Sequence, residues 1–200
     1  MKIAVVTAGL SVPSSTRLLA DRLAAATAAA AGGPVSVDVV ELRDIALDIT
    51  KNLLTGFPSP ALRTAIETVT GADALIAVTP VFTAGYSGLF KSFFDVLDAD
   101  SLVGKPVLLA ATGGTERHSL VLDYQLRPLF GYLKADPVAT GVYAASSDWG
   151  SGEASGALQR RIEKAGAELA ALAAGRTAVP DEPAFVPFDR LLAEMSTQDG

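Results

Sequence analysis

Ten residues at 111–120, "ATGGTERHSL", bring together Gly113, Gly114, two threonines, Glu116, Arg117 and the chain's single histidine, His118. A histidine among hydroxyls and glycines raises proton transfer, because imidazole titrates near neutral pH. The glycines raise something else. They permit positive φ and close backbone approach, so "TGGT" can set several N–H donors around the carbonyl edge of a heterocycle. A tight strand-to-helix turn, with Thr115 as N-cap and Glu116 in the first turn, accounts for the same residues. His118 at a helix entry is read as a positioning group ahead of a proton carrier.

Two further stretches have residue types suited to a ligand. In "TAGLSVPSSTRLL", residues 7–19, the hydroxyls of Ser11, Ser14, Ser15 and Thr16 gather where a helix begins. Unpaired N–H groups and a partial positive charge there suit a phosphate. Plain N-capping by Ser14 or Ser15 is the other explanation. The loop is neither a Walker loop nor a GxGxxG fingerprint. In "TPVFTAGYSGLFKSFFD", residues 79–95, an apolar bend with Pro80, Phe82 and Tyr86 can lay a flat wall against an aromatic ring. Equally, Phe82 and Tyr86 can staple a helix to a sheet.

These loops follow short aliphatic runs: "KIAVVTA" (2–8), "VSVDVVEL" (35–42), "ALIAVTP" (74–80), "PVLLAAT" (106–112) and "PVATGVYA" (137–144). Runs this apolar read as strands buried on both faces. Helical patterns separate them at 16–31, 60–70, 86–97, 118–134 and 153–174. The 86–97 segment is the clearest, with Tyr86, Leu89, Phe90, Phe93, Phe94 and Leu97 on one face. The alternation predicts a doubly wound, five-stranded parallel α/β sheet of flavodoxin-like order 2-1-3-4-5 with helices on both faces. Ligands of such sheets bind beyond the carboxyl ends of the strands, where all three stretches fall.

One domain is expected over 1–175, followed by an extended or partly disordered tail over 176–200 that carries three prolines. The connection 43–59 is long enough to suggest a functional or interface loop. No apolar run approaches the about 20 residues of a bilayer span, and "MKIAVVTAGL" reads as a strand rather than a signal peptide. With no cysteine there is no disulfide framework or thiolate metal site, which suits the cytoplasm. A net charge of −6 without a basic cluster argues against nucleic acid. One histidine rules out an all-histidine metal site, and no metal is expected.

The three loops taken together resemble the NAD(P)H-dependent FMN reductases of the flavodoxin-like superfamily. The likeness is to the two-component type that feeds reduced flavin to a sulfonate monooxygenase. It runs from Met1 to about Trp149, and "TPVFTAGYSGLFKSFFDVL" and "ATGGTERHSLVLDYQLRP" carry it. TGGT, His118, Asp123, Tyr124, Arg127 and Pro128 all fall in register.

The resemblance implies that Ser11, Ser14, Ser15 and Thr16 take the FMN phosphate. Pro80, Val81, Phe82 and Thr83 would border the isoalloxazine, and Thr112, Gly113, Gly114 and Thr115 its pyrimidine side, with His118 beside them. Family members often carry Gly-Ser-x-Arg in the first loop. Here Gly9 is followed by Leu10, Ser11 and Val12, and Arg17, already in the helix, is the nearest arginine and is counted among the cofactor-binding residues. Tyr124 matches a tyrosine that marks a π-bulge at a tetramer interface. With Tyr86 it is the expected oligomer contact of a homodimer or homotetramer.

On this resemblance hydride passes from nicotinamide to flavin N5, and no catalytic side chain is required. Two rivals share the fold. One is an NAD(P)H quinone or azo reductase with tightly bound FMN, which turns over with quinone alone. The other is a non-enzymatic flavin electron carrier, which does not oxidise NAD(P)H by itself.

Overall fold

Apolar runs that alternate with amphipathic segments build a parallel sheet covered on both faces. The computed structural model describes residues 1–150 and 153–175. Its long strands are β1 (Lys2–Thr7), β2 (Ser36–Glu41), β3 (Ala74–Phe82) and β5 (Pro106–Gly113). Two-residue β4 (Gly85–Tyr86) pairs antiparallel with the end of β3, while β6 (Asp136–Pro137) and β7 (Val142–Ala145) both pair parallel with β5. The path β2-β1-β3-β5-β6 is the expected 2-1-3-4-5 order, with the fifth position divided between β6 and β7.

The division departs from the single run predicted at 137–144, and side chains explain it. Arg127 donates Nη1 to the Val138 carbonyl at 3.0 Å, and its Nη2 reaches the Ala139 carbonyl at 2.5 Å. Glu168 accepts from the Thr140 N–H and from its hydroxyl, both at 2.7 Å. Backbone groups that a continuous strand would pair are thus satisfied from α5 (Arg127–Tyr132) and α6 (Glu153–Ala174).

Alternate residues of β1 enter two cores. Ala4 and Val6 pack with α3 (Pro60–Thr70), α4 (Gly88–Asp95) and α5, while Ile3 and Val5 pack with α1 (Ser15–Ala30) and α6. β2 is the exception to burial on both faces. It has a neighbour on one side only, and Ser36, Val37 and Asp38 are exposed. Phe94 lies 4.7 Å from Phe90 and 4.9 Å from Phe130 between ring centroids. Such pairs contribute roughly 0.5–1.5 kcal/mol beyond their burial and lock α4 to α5.

Other expectations shift locally. Tyr86 leaves the helix predicted at 86–97 and joins β4, because the chain must first complete a hairpin. The helix predicted at 118–134 is a 3₁₀ turn at Glu116–His118, a π-helical segment at Leu122–Leu126 and then α5. The connection at 43–59 is no loop but a 3₁₀ turn (Leu42–Ile45) and α2 (Ala46–Thr55), which ends at Gly56 with φ +75°. α2 exposes Leu47 and Leu54, with Phe57 beyond it. The predicted tail at 176–200 lies outside the described residues. No helix among those described is long and apolar enough to cross a membrane.

Helices α1 and α6 meet closely because Gly166 has no side chain. A Cβ there would lie 2.8 Å from backbone atoms of both Ala26 and Thr27, and backbone cannot rotate away. Gly166→Val should therefore destabilise the fold by about 1–3 kcal/mol, the usual cost of overpacking. Thermal denaturation followed by circular dichroism, with a midpoint several degrees below wild type, checks it.

Candidate functional site

β1, β3 and β5 end side by side, and a cleft of about 350 Å³ opens beyond them. The loop after β1 contributes Gly9, Leu10, Ser11, Ser15 and Thr16. The end of β3 contributes Pro80, Val81 and Phe82, and the end of β5 contributes Thr112, Gly113 and Gly114. Three loops chosen from residue type alone converge on one cavity. Ser146 and Trp149, from the turn after β7, complete it.

The first loop is built around the start of α1. Ser14 is the N-cap, its Oγ accepting from the Arg17 N–H at 3.2 Å, which leaves Ser11, Ser15 and Thr16 on the cavity side. The loop contains a cis Val12–Pro13 bond. A Cβ at Gly9 would sit 2.1 Å from Ser14 Oγ, so a side chain there would displace the capping hydroxyl. Thr16 Oγ1 and Thr112 Oγ1 share a buried 2.9 Å hydrogen bond that ties this loop to β5. Thr7, the last residue of β1, has a buried hydroxyl with no partner among the described residues.

Arg17 points away from the cavity. Its Nε donates to Asp21 at 2.7 Å and its Nη1 to Glu41, and these partners, Asp21 first, hold its pKa above the ordinary value. Arg43 bonds the same Glu41 at 2.7 Å and donates to the Ser11 carbonyl at 3.0 Å. The first loop is therefore braced by an arginine that begins the 43–59 connection, not by the one inside α1.

"TGGT" works differently from its sequence-level reading. Neither Gly113 nor Gly114 takes positive φ. Gly113 instead admits Tyr143, whose hydroxyl would be 2.1 Å from a Cβ there. That hydroxyl donates to the Thr115 carbonyl at 2.7 Å. Burial first, then the charges of Glu116 and Asp148, raise the Tyr143 pKa, which keeps the phenol a neutral donor. Thr115 caps nothing with its side chain and stays off the cavity wall, and His118 is exposed in the following 3₁₀ turn.

Beyond Phe82 the chain turns through Thr83 and Ala84 at φ +48° and +67°. For residues other than glycine this costs roughly 1–2 kcal/mol each. The turn is steadied by Thr79, whose Oγ1 accepts from the Ser87 N–H at 3.0 Å. Tyr86 and Tyr124 lie in a separate, wider groove of about 730 Å³ along α4 and α5.

The model of the NADPH-dependent FMN reductase family matches residues 1–150. The chain belongs to that family. It is an oxidoreductase that uses FMN and a reduced nicotinamide nucleotide. It is 39% identical to the FMN reductase (NADPH) of Pseudomonas aeruginosa over 88% of this chain and 94% of that one. It is 38% identical to the NADH-dependent FMN reductase SfnF of Pseudomonas fluorescens, over 74% and 79%. An X-ray structure of an oxidoreductase from Corynebacterium diphtheriae superposes with a TM-score of 0.85 at 44% identity, covering 88% of this chain and 98% of that chain. The apo NADH:FMN oxidoreductase EmoB gives 0.73 at 30%, over 90% and 91%.

The residues at the cleft of this FMN reductase suit its cofactor. Hydroxyls and the α1 N-terminus line one part of it, the Pro80–Phe82 wall another and the TGGT backbone a third, with Gly113 at a point where Tyr143 leaves a side chain no room. Arg43, Tyr143, Ser146 and Trp149 escaped the sequence reading. Trp149 alone carried a usable hint, as the sole tryptophan following the fifth strand. Since His118 does not line the cleft, His118→Ala should keep NAD(P)H:FMN turnover within about tenfold of wild type, or ~1.4 kcal/mol. Steady-state assay with saturating FMN checks it; a loss of several orders of magnitude would show that the imidazole acts in the chemistry.

Proposed function

We propose that this FMN reductase binds flavin exchangeably and releases it reduced to a flavin-dependent monooxygenase of the two-component sulfonate type. The observation that carries the reading is the first loop. Its two nearest arginines, Arg17 and Arg43, are both bonded to Glu41, so the phosphate would meet hydroxyls and backbone N–H groups. Neutral donors bind roughly half as strongly as charge-assisted ones, which favours exchange. The register of "TGGTERHSLVLDYQLRP" with the sulfonate-type reductases supports the same partner class.

Bound FMN supplies the hydride acceptor, and nicotinamide the donor. The protein's residues bind and orient. Ser11, Ser15 and Thr16 hold the phosphate end, with Ser14 capping the helix beneath them. Pro80, Val81 and Phe82 bear on the ring, and Thr83 shapes the turn that follows. N–H groups of Thr112 to Gly114, next to the Thr115 carbonyl that Tyr143 holds, would face the pyrimidine edge and would offset negative charge there as an oxyanion hole does. Arg17 and His118 act from outside the cleft. One reductase domain over 1–175 performs this, in the cytoplasm, where reduced nicotinamide nucleotides are supplied.

Assembly as a homodimer or homotetramer is part of the reading. The π-helical segment Leu122–Leu126 presents Tyr124 at 76% exposure, and Tyr132 is 78% exposed beside the groove that also holds Tyr86. A second copy would cover these rings.

Anaerobic titration with FMN and then NAD(P)H, followed by flavin absorbance, should show binding and then complete bleaching. No binding and no bleaching would end the reading. Ser15→Asp is a sharper probe, since an acid at the first helical position stabilises a helix by about 0.3–1 kcal/mol yet repels a phosphate. FMN affinity should fall at least about tenfold, while riboflavin, which lacks the phosphate, binds as it does to wild type. Fluorescence titration of both flavins distinguishes a phosphate loop from a generally damaged cleft.

A further inference from the structure

The hairpin at the end of β3 places Thr83 and Ala84, at φ +48° and +67°, in its two central positions. Two left-handed residues make a type I′ turn, whose usual sequence is Asn-Gly because those residues tolerate it. This turn has neither, and Gly85 stands one place too late to help. A turn without its preferred residues needs restraint from outside.

Gln125 supplies it. Its Nε2 donates to the Ala84 carbonyl at 3.2 Å and its Oε1 accepts from the Tyr86 N–H at 3.4 Å. One primary amide thus acts as an added peptide group, bonding a C=O and an N–H two residues apart. It also lies against the turn, because a Cβ on Gly85 would come within 3.0 Å of Gln125 Oε1. Gln125 belongs to the π-helical segment Leu122–Leu126, whose end residues Leu122 and Leu126 are buried. Its anchor is therefore the core.

We propose that Gln125 is a positioning residue that holds the Phe82–Tyr86 hairpin, and through it the Val81–Phe82 wall, in the geometry that receives the flavin ring. The proposal rests on the flavin reading of the cleft. It assigns to the π-helical segment a task within its own chain: to aim an amide at the hairpin.

Two substitutions test it through FMN affinity, read by fluorescence titration between pH 8 and pH 4.5. Gln125→Leu keeps the bulk and loses both bonds, and should weaken FMN about tenfold, the worth of one or two ordinary hydrogen bonds, at every pH. Gln125→Glu gives a signature that mere structural damage does not. As a carboxylate it accepts from Tyr86 N–H but sets an acceptor against the Ala84 carbonyl; as an acid it donates one bond and accepts the other. Its FMN affinity should be weakest at pH 8 and recover toward wild type as the pH falls. Charged groups facing Gln125 are Arg117, His118, Lys91 and Asp95, with Tyr86 and Tyr124 alongside. Wild type measured at each pH removes their titration and that of the FMN phosphate.

Wild-type affinity in Gln125→Leu, or a Gln125→Glu defect independent of pH, would overturn the proposal while leaving the flavin reading intact. Failure of the wild-type protein to bind FMN would overturn both.

Discussion

Parallel pairing of β3 with β1 on one side and β5 on the other sets Thr7 beside Val78 and Pro80 beside Thr112. That register brings three loops, far apart in sequence, to a common level. Each contributes little alone: one offers hydroxyls, one an apolar bend and one a bare backbone. The buried bond between Thr16 and Thr112 then fixes the outer two across the sheet. In an interior of low dielectric such a bond is strong, and leaving either hydroxyl unpaired is costly. The spacing between the hydroxyl-bearing loop and the end of β5 is thereby a property of the core rather than of the loops.

The charged groups near the cleft follow a consistent division. Arginines brace protein parts against one another: Arg17 and Arg43 converge on Glu41, and Arg127 holds the segment between β6 and β7. Polar groups of the cavity wall are hydroxyls and peptide N–H. A site arranged this way stabilises charge through fixed dipoles, which require no reorganisation when charge develops. It also forgoes the tight grip that a buried cation would give, in keeping with the exchangeable flavin proposed for it.

Much of the fold was legible because its signals are local and repeated. Aliphatic runs marked every long strand, and helical periodicity placed α1, α3 and α6 within a residue or two. Errors came where a tertiary partner outweighed the local pattern. Tyr86 has helical spacing with Phe90 and Phe93, yet the hairpin claims it. The run at 137–144 has strand composition, yet Arg127 and Glu168 capture its middle. Residue type located the cleft only in part: Ser11, Ser15, Thr16, Pro80, Phe82 and Gly113 line it, while Ser14 is spent on capping α1 and Thr115 and His118 stand outside. The supports of the lining residues were not legible. Tyr143 reaches Thr115 across 28 residues and Arg43 reaches Ser11 across 32, and nothing in either residue's neighbourhood announces such a contact.

The divided fifth strand has a consequence for the molecule in a crowded solution. An uninterrupted edge strand offers a row of free N–H and C=O groups to any passing chain, the usual starting point for sheet-to-sheet aggregation. Here the carbonyls of Val138 and Ala139 and the amide of Thr140 are already bonded by side chains, and Pro137 has no amide hydrogen to give. The opposite edge, β2, exposes the carboxylate of Asp38. Side-chain capture of the 138–140 segment at one border and the exposed charge of Asp38 at the other both disfavour the addition of a further strand.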